Sequence, residues 1–345
     1  MDGRRDGTRG ADRPPPLSPA YDRYVSRPAV LDRFPPATPA VLRRLAVAAV
    51  VAQAGIAVTG SIVRVTGSGL GCPTWPQCFP GSLVPTPHPE VAALHQWVEF
   101  GNRLLTFAVV LVTGLCYLAA LNTRPRRPRL VRLALVQPLG VVAQAVIGGF
   151  TVLLGLVWWS VSVHFLVSMV LVWLAVQLYD AAGEGGGPIR PLVPPAVRGL
   201  VATSTAVLAL LLTAGTFVTA AGPHSGDADT PRLGIGVEAT AQLHADLLFA
   251  YLGLLAGLGF ALRAVGAPVV LRRRYGLLLA AVVAQGVLGG VQYALGVPEV
   301  LVSLHVLGAA LVTVAAAAVW AATAERGSAA EPGRPAVERD LVERS

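Results

Sequence analysis

Lysine is absent: all 27 basic residues are arginine. With Ala, Gly, Val and Leu so abundant, this reads as GC-rich coding rather than as chemistry. Charge of either sign is scarce at 13%, against 54% hydrophobic residues and a mean hydropathy of +0.62. That balance excludes an ordinary soluble globule and indicates a membrane protein. No nucleic-acid motif is present, so the net charge of +8 is read for topology instead. Only three cysteines and six histidines occur, and each is weighed by its place in the chain.

What is present is apolar sequence in bilayer-length runs. A spanning helix needs about 20 such residues. Eight runs qualify, at 43–62, 97–121, 134–153, 161–181, 199–220, 241–263, 275–293 and 300–322. The fold class expected is therefore all-α, a polytopic membrane protein with eight transmembrane helices. A polar segment of some forty residues precedes the first run, which excludes an ordinary cleaved signal peptide.

Arginines cluster in alternate loops. Arg124, Arg126, Arg127, Arg129 and Arg132 lie between spans two and three, Arg190 and Arg198 between four and five, and Arg263 and Arg272 to Arg274 between six and seven. The opposite loops carry only Arg64 and Arg232. The positive-inside rule then places both termini and the arginine loops in the cytoplasm. Residues 1–40 and 323–345, polar and rich in Pro or charge, are expected to be disordered cytoplasmic tails.

The chain repeats itself. Residues 141–149 read VVAQAVIGG and 282–290 read VVAQGVLGG, an offset of 141 that also carries His164 onto His305. NRLLTF at 102–107 lies near HADLLF at 244–249, with an offset of 142. This predicts two pseudo-repeated four-helix bundles, 41–181 and 199–322, joined by a cytoplasmic linker over 182–198. The paired glycines suit close helix approach.

The even-numbered spans start on the non-cytoplasmic side. Asn102, His164, His244 and His305 each fall within about two turns of that start, at 3.6 residues per turn. An imidazole in an apolar helix serves either as a hydrogen-bonding linker or as a functional group. Two histidines at matched depth on separate helices of one bundle, His244 and His305, suit axial ligation of a haem, which is flat and apolar and takes neutral imidazole. Structural zinc requires four ligands, and only two converge here. The other bundle offers Asn102, a poor iron ligand, and His164, so a haem there is held through His164 alone with one axial face open. His95 reads as a surface histidine and His88 has no evident role.

Glu99, Asn102 and Arg103 share a helix face. Glu99 and Arg103 form either a plain ion pair near the interface or a carboxylate that moves protons beside a reacting group. The loop GSGLGCPTWPQC at 67–78 places Cys72 and Cys78 on the oxidising side, where a disulfide is favoured, either as a structural staple or as a redox-active pair. Cys116 reads as an inert apolar residue. His224, in GPHSGD, is either a plain loop residue or a contact for a haem propionate.

VRVTGSGLGCPTWPQC after span one, VEFGNR opening span two, His164, GPHSGD, His244 and His305, taken in that order, resemble the haem A synthase (CtaA/Cox15-type) family in an actinobacterial-like form. The resemblance runs from about residue 43 to 322. It implies a membrane oxidoreductase that oxidises a methyl group of haem O to a formyl group, supplying haem A to cytochrome oxidase. It implies a haem b cofactor (iron protoporphyrin IX) held by His244 and His305, and a substrate side in the first bundle with Glu99 as the catalytic carboxylate and His164 at the porphyrin. Asn102 departs from the histidine usual at that position. The location implied is the plasma membrane of a bacterium. The partners implied are haem O and the bilayer; a homo-oligomer and contacts with haem O synthase or cytochrome oxidase assembly factors stay open. The rival readings are a duplicated b-type cytochrome that only transfers electrons, and a repeat-built transporter with Glu99 and the histidines as a proton relay.

Overall fold

A computed structural model describes residue 33 and residues 35–327. It contains eight long helices: α1 (Pro39–Val65), α2 (Ala93–Leu121), α3 (Pro128–Leu153), α4 (Trp158–Gly183), α5 (Pro195–Ala221), α6 (Val237–Ala264), α7 (Val269–Ala294) and α8 (Glu299–Ala321). All eight are long and apolar enough to cross a membrane, and the protein is an all-α, multi-pass membrane protein.

Several helices start earlier than the apolar runs. α3 begins six residues before residue 134 and α7 six before residue 275, so Arg129, Arg132 and Arg272 to Arg274 are helical rather than in loops. Arginine is a good helix former, and its long stem lets the charge reach the interface from a helical turn. Pro39, Pro128 and Pro195 occupy first-turn positions, where the missing N–H costs nothing. Thr38 caps α1, its hydroxyl accepting from the Val41 N–H at 3.3 Å.

The tails expected to be disordered are ordered where they adjoin the membrane part. Residues 35–38 dock on the end of α2, with Asn122 Nδ2 donating to Pro35 O at 2.7 Å and the Ala37 N–H to Asn122 O at 3.1 Å. Beyond α8, β2 (Ala324–Arg326) pairs antiparallel with β1 (Ile189–Pro191) from the expected linker. Backbone groups that follow α4 and α8 satisfy each other through this two-stranded clasp, which the tail composition did not announce. The remainder of both tails lies outside the described residues.

α1 packs on α2, α2 on α3, α3 on α4 and α4 on α1, a closed ring that leaves α2 and α4 diagonal. α5 to α8 form the same ring more loosely, leaving α6 and α8 diagonal. α8 lies against α1 and α4, which joins the rings. Gln177 Nε2 donates to Ala317 O at 3.1 Å, and Arg274 pairs with Asp180 at 2.8 Å, both across this seam.

In each ring the apolar core lies at the arginine-loop end. Leu42, Ala46, Cys116, Ala120, Leu130, Val131, Ala134 and Leu178 fill it in the first. Val197, Val201, Leu255, Leu258, Leu262, Leu271, Leu278 and Val319 fill it in the second. Toward the opposite, disulfide-bearing end the packing opens. No residue is buried in 100–108 of α2, 241–250 of α6, 283–294 of α7 or 303–309 of α8. Asn102, His244 and His305 fall in these open stretches.

Candidate functional site: two imidazoles across one bundle and a clamped loop over the other

Diagonal helices bring His244 of α6 and His305 of α8 face to face, with ring centroids 6.3 Å apart and planes at 60°. The rings do not stack, and they are too far apart for a direct hydrogen bond. His244 Nδ1 lies 3.0 Å from Leu211 O. A carbonyl only accepts, so Nδ1 carries the proton and Nε2 keeps the lone pair of the neutral ring. This bond is available because Gly215, one turn after Leu211, has no side chain. A Cβ there would lie 3.0 Å from His244 Cε1. Donation of the distal N–H to a backbone carbonyl is the arrangement that orients metal-ligating histidines.

His305 is cradled similarly. A Cβ on Gly289 would lie 3.0 Å from its Cε1, and Gln285 Nε2 donates to His305 O at 2.8 Å. Its Nδ1 is buried without a hydrogen-bond partner. A buried, unpaired polar atom is costly and calls for a missing partner. Metal–imidazole distances of about 2.0–2.1 Å would allow two rings at this centroid separation to hold one ion between them. The stretches of α6, α7 and α8 around the pair contain no buried residue. His244 and His305 therefore fit a porphyrin iron. Among the described residues no group of three or more His, Cys, Asp or Glu converges as a metal site. The donor set thus suits two axial positions and not a tetrahedral metal.

The first bundle repeats half of this. A Cβ on Gly148 would lie 3.2 Å from His164 Cε1, Gln144 Nε2 donates to His164 O at 2.8 Å, and His164 Nδ1 is buried and unpartnered. On the diagonal helix α2, Asn102 Oδ1 accepts from Thr59 Oγ1 at 2.7 Å, and the same hydroxyl lies 3.1 Å from Ile56 O. These residues fit a porphyrin iron with one protein ligand.

Glu99 is only 5% exposed, and both of its oxygens are taken. Oε2 accepts the Cys72 N–H at 2.6 Å, and Oε1 accepts from Arg103 Nη2 at 2.5 Å and Nε at 3.1 Å. Arg103 also donates to the carbonyls of Cys72 at 2.7 Å, Thr74 at 3.0 Å and Gln77 at 3.1 Å. The pair thus grips the loop that the Cys72–Cys78 disulfide closes. The ion pair and the carboxylate were alternatives in the sequence; here the ion pair forms, and it is a clamp on the loop rather than an isolated surface bridge. Its charges sit where a charge without a partner would be expensive.

The other histidines have local partners. His95, expected on the surface, is half-buried with Nδ1 2.9 Å from Ser68 Oγ. His88 stacks on Phe79 at 4.8 Å. His224 Nε2 donates to Val297 O at 2.8 Å, and its own carbonyl accepts from Arg64 Nη1 at 2.7 Å, so it ties the outer loops together. Cys116 is buried and free, as an inert apolar residue should be. Sequence reasoning missed Gln144, Gln285, Gly215 and Thr59. The glutamines were within reach, since both stand in the repeated VVAQ segment at the same offset as the histidines.

Three curated relatives are each named heme A synthase. Those of Geobacillus kaustophilus (strain HTA426) and Geobacillus thermodenitrificans are 31% and 30% identical over 94 residues, 27% of this chain and 28% of each relative. That of Shouchella clausii (strain KSM-K16) is 29% identical over 165 residues, 46% of this chain and 53% of the relative. The matches thus span between about a quarter and about a half of the relatives' lengths. The COX15-CtaA family of cytochrome oxidase assembly proteins matches residues 43–224, more than half of the sequence, including the clamped loop, Glu99, Asn102 and His164. On that match the chain belongs to the COX15-CtaA family of cytochrome oxidase assembly proteins.

Proposed function

We propose that this protein is a haem A synthase, a membrane oxidoreductase that converts a methyl group of haem O to the formyl group of haem A for cytochrome oxidase. The observation that carries the reading is the facing pair His244 and His305 at 6.3 Å, with the His244 tautomer set by Leu211 O. These two residues would hold a haem b, which supplies one-electron chemistry when bound.

The first bundle is the substrate side. His164, fixed through Gln144 and packed on Gly148, orients the incoming porphyrin from one axial face. The prenylated substrate is apolar and enters laterally from lipid. Glu99 and Arg103 hold the 72–78 loop over that end of the bundle, so that solvent is kept from the reacting methyl group. Asn102 stands one turn from Glu99 on the same helix, which puts the carboxylate close to the reacting region and able to balance charge there. The disulfide acts as the staple that keeps the clamped loop in register. The arginine loops and both termini lie on the cytoplasmic side of a bacterial plasma membrane.

Porphyrins extracted from cells with and without this protein test the reading. Cells lacking it should accumulate haem O and contain no haem A, and restoring the gene product should reverse both. Unchanged haem A in its absence would overturn the proposal.

A further inference from the structure

The two bundles differ at one quasi-equivalent position, and the difference is chemical. His244 offers a lone pair from its ring. Asn102 does not, since a carboxamide nitrogen has none to give and the oxygen is its only acceptor atom. That oxygen lies 2.7 Å from Thr59 Oγ1, the shorter of the two contacts open to the hydroxyl's single hydrogen, the other being Ile56 O at 3.1 Å. What Asn102 has left is the pair of N–H donors on Nδ2. The surrounding stretch, residues 100–108, contains no buried residue, so the amide is not consumed in packing. α2 and α4 are diagonal in their ring, as α6 and α8 are in theirs, and the repeat offset of 142 carries Asn102 onto the position of His244, which faces His305. His164 Nδ1 is buried with no partner.

Resting on the haem-binding reading above, we infer that Asn102 is a hydrogen-bond donor to a small exogenous ligand at the sixth position of a porphyrin iron held by His164 alone. Thr59 is the positioning residue that turns the amide so that it presents N–H rather than oxygen. The ligand class is a compact acceptor that is anionic or strongly polarised. A neutral, weakly accepting ligand gains little from the same site.

The full-length protein loaded with iron porphyrin carries the test, read by optical and electron paramagnetic resonance spectra and by cyanide and carbon monoxide titrations. Wild type should show one low-spin haem that binds neither ligand and one high-spin haem that binds both. His164→Ala should remove only the ligand-binding species. Asn102→His should convert that species to low spin and abolish ligand binding. Asn102→Ala should weaken cyanide about tenfold, the scale of one lost hydrogen bond to a charged acceptor, while carbon monoxide affinity changes far less. Thr59→Val should reproduce the cyanide defect and Thr59→Ser should restore it, a contrast that general loosening of the bundle does not produce. A protein with bound haem that is wholly low-spin and binds neither ligand would overturn this inference and leave the haem reading intact. Equal loss of cyanide and carbon monoxide affinity in Asn102→Ala would also overturn it. A protein containing no tetrapyrrole would sink the underlying reading instead.

Discussion

At the scale of single residues, the chemistry depends on which atom of each polar side chain is left over once local bonds are made. His244 spends Nδ1–H on Leu211 O and keeps Nε2; Asn102 spends its oxygen on Thr59 and keeps its amide hydrogens. Glu99 has no oxygen left, since Cys72 N–H and Arg103 take both. Replacing Glu99 by Ala or Gln leaves the Arg103 guanidinium without its counter-charge in a largely buried position, and Ala also releases the Cys72 amide. Both variants should therefore reduce haem A per unit of membrane-inserted protein by more than about tenfold, since each 1.4 kcal/mol of lost interaction is a factor of ten. Normal haem A in either would show that the clamp and its carboxylate are dispensable. The residues Glu99, Asn102, His164, His244 and His305 stand out in the sequence because polar groups in apolar runs are rare. Their partners do not. Leu211 and Gly215 are ordinary residues of an apolar helix, and their importance rests on a backbone carbonyl and a missing Cβ, neither of which composition displays.

At the scale of helices, small residues set how near an imidazole can approach. Gly215, Gly289 and Gly148 each lie so close to a histidine that a Cβ would stand 3.0, 3.0 and 3.2 Å from Cε1. Gly289→Val adds a branched side chain on that spot and should push the His305 ring out of line. The expected result is loss of most of the low-spin haem signal with the helix content unchanged by circular dichroism. A full signal in that variant would contradict the cradle. The doubled Gly-Gly was legible as a point of close approach; that an imidazole rather than another helix makes the approach was not, because the ring comes from α8, sixteen residues later across a turn. Helix ends were harder still. The arginine-rich first turns of α3 and α7 look like loop by hydropathy, although they are helical, because charge and helix propensity are independent properties of a residue.

At the scale of the whole molecule, the backbone repeats a turn geometry beyond the repeated VVAQ and histidine segments. Gly155 and Leu156 in the α3–α4 turn have φ of 66° and 59°, and Gly296 and Val297 in the α7–α8 turn have 74° and 61°. The same offset of 141 relates them, and left-handed Leu and Val are uncommon. Eight helices and their rough limits were legible because bilayer length and apolarity leave few other options. The clasp of β1 with β2 was not, since three-residue strands depend on a partner far along the chain. On the proposed reading the halves would diverge in role: His244 and His305 would hold one porphyrin iron together, and His164 would hold the other alone.

The most direct test of the facing pair is the spectrum of the purified full-length protein before and after removing each imidazole. His244→Ala and His305→Ala should each abolish the low-spin haem b signal, while His164→Ala should leave it intact. A low-spin signal that persists without His244 or His305, or that disappears with His164 alone, would contradict the assignment of this pair as the axial ligands.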